Sequence, residues 1–227
     1  MVLSVPSYVI PGTYGENVVF LAGRSEIQAI EFLFYTFDAE SRDLFTREKP
    51  LIASYWQRFS YAVHMPDRLL PEHELLIELT RDLCDRYILH PPPGDLDGFQ
   101  RLLTDWQSRY GRVFLIENLI AGDFALAAEL MAGFPLCCDT GHLLKNGSAV
   151  SGFLRRFGPR IEEIHLHGVV AGMDHRAFAA RESWFQRILP FLKTFAGVLN
   201  LEVFSIEEVN ELIAALGEAG VLPQRRN

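Results

Sequence analysis

The feature that most limits the fold of this chain is a rhythm. Eight short apolar runs recur along it, most of them separated by amphipathic stretches. The runs are SVPSYVIP (4–11), IQAIEFLFY (27–35), FSYAVHMP (59–66), RYILHPP (86–92), VFLIENL (113–119), PLCCDTGH (135–142), IEEIHLH (161–167) and VLNLEVF (198–204). Each is short and rich in Val, Ile, Leu, Phe or Tyr, which suits a strand covered on both faces. Helical spacing of apolar residues marks 71–85, 96–110, 123–134, 148–158, 183–195 and 205–220. The last opens on Ser205 with Glu208 three residues on, a capping-box signature. The connection over 36–58 has no clear pattern. Eight strands, each followed by a helix or a substitute for one, is the count of a (β/α)8 TIM barrel, an α/β fold. At 227 residues it is a compact barrel, expected to form one domain over 1–227. An open doubly wound sheet shows the same local patterns.

Composition removes several functions. A hydrophobic share of 49% supplies a large core, and a net charge of −8 argues against a protein that grips nucleic acid. No apolar segment approaches the roughly 20 residues of a membrane span. The first residues, MVLSVPSYVIPGTYGEN, lack a charged leader and are broken by proline and glycine. Cys84, Cys137 and Cys138 form no CxxC pair, so a reducing cytoplasm is expected. On a strand only Cys137 of the adjacent pair shares a face with Asp139, and both cysteines read as small core residues.

The polar residues fall at particular places. Six of the seven histidines lie at or just beyond the end of a candidate strand: His64, His90, His142, His165, His167 and His175. The carboxylates Glu117, Asp139, Asp174 and Glu202 do the same. In a barrel those ends share one face, where catalytic residues collect. Burying so many ionisable groups together is costly without compensation, and bound cations supply it. Imidazole with carboxylate suits Zn, Mn, Fe or Co better than Mg or Ca. One catalytic ion takes about three protein ligands. His64, His90, Glu117, Asp139, His142, His165, Asp174, His175 and Glu202 are therefore enough for two or three ions, with Glu117 placed to bridge. Clustered cations suit phosphoester hydrolysis.

AIEFLF (29–34), VHMP (63–66), LHPPPG (89–94), LIENL (115–119), CDTGH (138–142), IHLHG (164–168), MDH (173–175) and LEVF (201–204) occur in an order and spacing that is specific when taken together. The chain thereby resembles the xylose-isomerase-like barrel superfamily, which includes endonuclease IV (AP endonuclease family 2) and many sugar isomerases and epimerases. The endonuclease-like pattern implies that His64 and His90 hold one edge of a metal cluster and that Glu117 bridges. Asp139, His142, His165 and Glu202 follow. Relatives place an Asp-x-His pair where Asp174 and His175 are adjacent. Resemblance also implies that Glu31 and His167 face the substrate or support its pocket. The sugar-isomerase pattern implies one metal on Glu117, Asp139, His165 and Glu202, with Glu117 and Glu202 moving protons. Because His64 and His90 are present, the expected function is a Zn-, Mn- or Fe-dependent phosphodiesterase with Glu117 and Glu202 as catalytic carboxylates. A single-metal sugar or sugar-phosphate isomerase or epimerase is the alternative. The acidic chain points to a small-molecule phosphodiester. The PSYVIPG opening and the HLHG…DH segment resemble cobamide-remodelling phosphodiesterases, which implies a corrinoid substrate.

Overall fold

A computed structural model describes residues 1–111, 114–119 and 124–222. Its centre is a closed barrel of parallel strands. These are β1 (Val2–Pro6), β2 (Ala29–Leu33), β3 (Ser60–His64), β4 (Cys84–Leu89), β5 (Phe114–Glu117), β6 (Leu136–Asp139), β7 (Ile161–His165) and, after a small hairpin of β8 (Gly168–Val170) and β9 (Met173–Arg176), β10 (Val198–Asn200). The order around the barrel is β1-β10-β7-β6-β5-β4-β3-β2, with β1 also paired to β2. Closure decides between the barrel and the open sheet. The helices outside are α1 (Tyr14–Ala22), α2 (Ala39–Ala53), α3 (Glu74–Thr80), α4 (Leu96–Tyr110), α5 (Phe124–Leu130), α6 (Thr140–Lys145), α7 (Val150–Phe157), α8 (Ser183–Leu192) and α9 (Ile206–Glu218). No helix among the described residues is long and apolar enough to cross a membrane.

Register places the interior residues. His64 pairs with Ile88, Glu117 with Cys137, and Asp139 with His165, which also lies beside Asn200. Partners across a ladder share a face, so these side chains all point into the barrel. Ala62, Ile88, Leu115 and Cys137 form a separate apolar cluster inside it, whereas Cys138 joins the large core between strands and helices. The other half of the interior is polar: Ser4, Glu31, Glu163 and Asn200 are all buried, with Arg86 3.5 Å from Glu163. Burial beside Glu31 raises the Glu163 carboxyl to about 8.

Several boundaries differ from the sequence expectations. The run 135–142 is strand only to Asp139. There the Asp139 side chain accepts from the His142 amide and starts α6, so Thr140 to His142 are helical. Cys84 belongs to β4 rather than to the preceding helix, and 71–73 form a 3-10 turn opened by Pro71. The patternless 36–58 contains α2, which buries only Phe45 and Ile52. Two apolar anchors seven residues apart are too few to show as a periodic stripe. Ser205 accepts from the Glu208 amide as expected, but the Glu208 side chain turns away to the Ala177 amide and Arg176. Val113 and Asp123, at the edges of two expected elements, lie outside the described residues.

Candidate metal centre

Strand ends deliver the cluster. His64, Glu117, Asp139 and His165 are the last residues of β3, β5, β6 and β7, His90 follows β4 by one residue, and Glu202 follows β10 by two. His142 comes from α6, and Asp174 and His175 come from β9. Glu117 lies at the centre and is fully buried. Its Oε2 is 3.1 Å from both His64 Nε2 and His90 Nε2, and its Oε1 lies 3.5 Å from His165 Nδ1 and 3.6 Å from His142 Nδ1. Glu202 Oε2 is 3.3 Å from His165 Nδ1 and 3.6 Å from His175 Nδ1. Candidate ligand sets form around these atoms: His64, His90 and Glu117; His142, Asp174 and His175; and Glu31, His64, His165 and Glu202.

The orientation of the rings carries more information than their number. His64 Nδ1 lies 3.0 Å from the Met65 carbonyl, His142 Nδ1 2.9 Å from the Asn118 carbonyl, and His175 Nδ1 3.1 Å from the Glu202 carbonyl. Those oxygens only accept, so each of these Nδ1 atoms carries a proton and Nε2 is the nitrogen that could offer a lone pair to a cation; without one, His64 Nε2 donates to Glu117 Oε2 at 3.1 Å. Asp67 stands 3.3 Å from His90 Nδ1, and Glu31 holds His165 through Nε2 at 3.2 Å. One ring nitrogen fixed on an acceptor, with the other available to a cation, is the arrangement that metal-binding imidazoles adopt, and His64, His142, His165 and His175 have it.

His167 breaks the pattern. Its Nδ1 accepts from the His175 amide at 2.8 Å, so Nε2 carries the proton and donates to Asp139 Oδ2 at 3.0 Å. His175 can aim its amide there because its backbone is left-handed, at φ 51°. The two rings stack 4.2 Å apart. Fully buried like Glu31, His167 acts on Asp139 as Glu31 acts on His165. Asp174 pairs with Lys145 at 3.0 Å, which holds its carboxyl below the usual range against the opposing effect of burial.

Burial alone would lower the histidines, but carboxylates reverse it. Glu117 and Asp67 push His90 up to about 10, Glu117 raises His64, and Glu31, Glu202 and Glu117 hold His165 well above its ordinary value alongside Cys137. Conversely, His165 and His90 drive Glu117 well below the carboxylate range despite its burial, and His165 does the same for Glu202. Protons on imidazoles thus balance the carboxylates when no other cation does. Both ring nitrogens of His90, His165 Nδ1, Glu117 Oε1 and Glu202 Oε2 are buried without a well-directed hydrogen-bond partner. That combination of soft nitrogen and carboxylate donors with orphaned atoms fits divalent ions of the Zn, Mn or Fe kind.

A pH dependence follows for the metal-free protein. Raised histidines stabilise it fully below about 6.5 and lose that contribution as pH climbs through about 10; lowered Glu117 stabilises it above about 4.5. Denaturant unfolding in chelator should show maximal stability between about pH 4.5 and 6.5. By pH 9 stability should fall by on the order of 2–4 kcal/mol. Added Zn²⁺ at pH 8 should restore it. A flat profile across pH 6 to 9 would contradict the charge balance.

Some participants have little signature in the sequence. Asp67 lies in the loop three residues after His64 and orients His90. Asn118 ties β5 to β6 through two 2.9 Å bonds with the Asp139 backbone. Thr140 bonds the carbonyls of His165 and His167 and the amide of His167. Asn118 and Thr140 each sit next to a carboxylate of the cluster, and adjacency is the only signal they give.

No protein-family model and no curated protein matches the chain. Among solved structures, a probable 3-DHS dehydratase from Bacillus anthracis superposes at a TM-score of 0.66 with 12% identity, covering 100% of both chains. A 3-keto-D-glucoside 4-epimerase from E. coli gives 0.63 and 11% over 98% of this chain and all of the other. An L-ribulose 3-epimerase gives 0.63 and 18% over 100% of this chain and 88% of its own. At these identities the shared property is the barrel.

Proposed function

We propose that the chain is a divalent-metal-dependent hydrolase of a small-molecule phosphodiester, with two or three ions held around Glu117. The observation that carries this reading is the anchoring of four imidazoles, those of His64, His142, His165 and His175, beside a fifth, His90, whose Nδ1 Asp67 faces at 3.3 Å. A one-metal centre on Glu117, Asp139, His165 and Glu202 gives His64, His142 and His175 no reason to be so held, and gives His90 no reason to be buried beside Glu117. His64 and His90 would hold one ion with Glu117; His165 and Glu202 a second; His142, His175 and Asp174 a third. Such ions, when bound, supply Lewis acidity and a water nucleophile at neutral pH. The chain's own residues position those ligands: Asp67, Glu31 and His167 through the rings and carboxylate they touch, Asn118 through the β6 backbone. A cavity of about 370 Å³ opens over the centre, lined by His64, His90, Glu117, His142, His175 and Glu202 together with Tyr35 and Asp67. That is the scale of a small-molecule site. The finer assignment, the nucleotide loop of a cobamide, rests on the sequence resemblance alone and makes that molecule the first substrate to assay.

A second reading, a single-metal sugar or sugar-phosphate isomerase or epimerase, is favoured by the fold neighbours, two of which are sugar epimerases. Metal content separates the two. Protein purified without chelator should carry two or three ions per chain by elemental analysis. The His64→Ala/His90→Ala double variant should lose one of them. One ion per chain, retained by the double variant, would replace the hydrolase reading with the isomerase.

A further inference from the structure

A second cavity, about 450 Å³, adjoins the metal cavity, and Tyr35 lines both. It lies between the segment after β1 and the start of α2. Its walls include Tyr8, Tyr14, Leu33 and Leu44, and none of the residues lining it is charged. Four of the hydroxyls around it are engaged by the walls themselves or by Asp38 beside them. Ser7 Oγ accepts from the Leu33 amide, Tyr14 donates to the Leu33 carbonyl, Thr13 caps α1, and Ser41 is bonded to Asp38. Tyr8 and Tyr35 remain 53% and 56% exposed, so two aromatic faces stand open at its mouth. Tyr35 packs edge-on against Phe204, which in turn lies 4.7 Å from the His175 ring. An aromatic wall therefore runs without a break from the candidate ligands into an uncharged chamber.

We infer that this chamber is a substrate subsite that takes an uncharged aromatic ring, joined by a short spacer to the anionic group at the metal centre. The inference rests on the proposed metal centre and narrows its substrate to a two-part molecule. Charge separates the lobes: ions and carboxylates surround the reacting group, while tyrosine faces and leucines receive a flat apolar partner. Aromatic stacking, and the smaller ordering cost of a rigid group, favour a ring over an alkyl chain of equal carbon count.

Calorimetry with ω-phenylalkylphosphonates carrying one to four methylenes, against n-alkylphosphonates of the same carbon count, tests this on the metal-loaded protein. At one spacer length the phenyl compound should bind at least tenfold more tightly than its alkyl counterpart. Tyr8→Ala should erase that advantage, and Tyr8→Phe should keep it. No aryl advantage at any length, with alkylphosphonates still bound, overturns the subsite and leaves the metal centre standing. If no phosphonate binds, the proposed function fails. The chamber is then judged by 2-naphthol fluorescence on the metal-free protein, where Tyr8-dependent binding upholds it and no binding overturns it. A concentration-dependent sedimentation coefficient abolished by Tyr8→Ala would overturn it in favour of a second copy of the chain covering the mouth.

Discussion

Glu117→Gln is expected to reduce metal affinity by at least about a hundredfold and to abolish metal-dependent turnover while leaving the fold intact. The substitution keeps shape and volume, so the barrel has no packing reason to change. What it removes is the charge at the point where four imidazoles meet, two on each carboxylate oxygen. An amide offers one weak oxygen donor and turns its NH₂ toward ring nitrogens that need lone pairs for a cation. Removing ligand neighbours that merely orient a ligand costs 10–100-fold in affinity, and a central ligand costs more. The variant also changes the metal-free protein. His64, His90 and His165 lose one of the carboxylates that raise them, so their protonation shifts to lower pH and the stability loss above pH 6.5 flattens. Metal titration and denaturation at pH 5.5 and 9 read the two effects separately. Full turnover with unchanged metal content would remove Glu117 from the centre.

Gly141→Ala is expected to be the most damaging single-carbon addition in the chain's mouth. A Cβ at that position would lie 2.0 Å from Cε1 and 2.3 Å from Nδ1 of the His167 ring. The ring has no slack to give. Its Nδ1 is held by the His175 amide, its Nε2 by Asp139, and its face by the His175 ring. Overpacking of this kind costs about 1–3 kcal/mol in stability. It should also release Asp139 from its orienting bond, with a 10–100-fold loss of metal affinity. Gly152→Ala is the control: it sits within α7, where an added Cβ meets only Ala149 Cβ at 3.7 Å and the end of Arg155 at 3.8 Å. That change should be neutral or stabilising by up to about 1 kcal/mol. Equal behaviour of the two variants in thermal unfolding would show that the His167 ring is free to move.

The barrel was legible because its strands are buried on both faces and therefore continuous in apolar residues, and because ionisable side chains interrupt them at one end only. Helix α2 was not legible, since its contact with the barrel is two residues wide. The hairpin β8–β9 left no trace for a similar reason. Its Val170 and Met173 are paired but exposed, and its turn runs through Ala171 and Gly172 with positive φ rather than through an Asn-Gly signal.

Within the candidate centre, the division falls between which residues meet and what each can do there. Period-two alternation and the shared end of parallel strands determined from sequence that His64, His90, Glu117, Asp139, His165 and Glu202 would face one space. Sequence also put His165 and His167 on one face of the seventh apolar run, and there only the resemblance gave them different roles, a ligand and a neighbour that faces the substrate or supports its pocket. The tertiary structure supplies the physical reason for a difference. His165 keeps Nδ1 free because Glu31, 134 residues away, takes its other nitrogen, whereas a left-handed residue at 175 points an amide at Nδ1 of His167 and commits that ring to Asp139. A histidine's chemistry depends on which nitrogen holds the proton. That is decided by partners brought in from other strands, which no local pattern can specify.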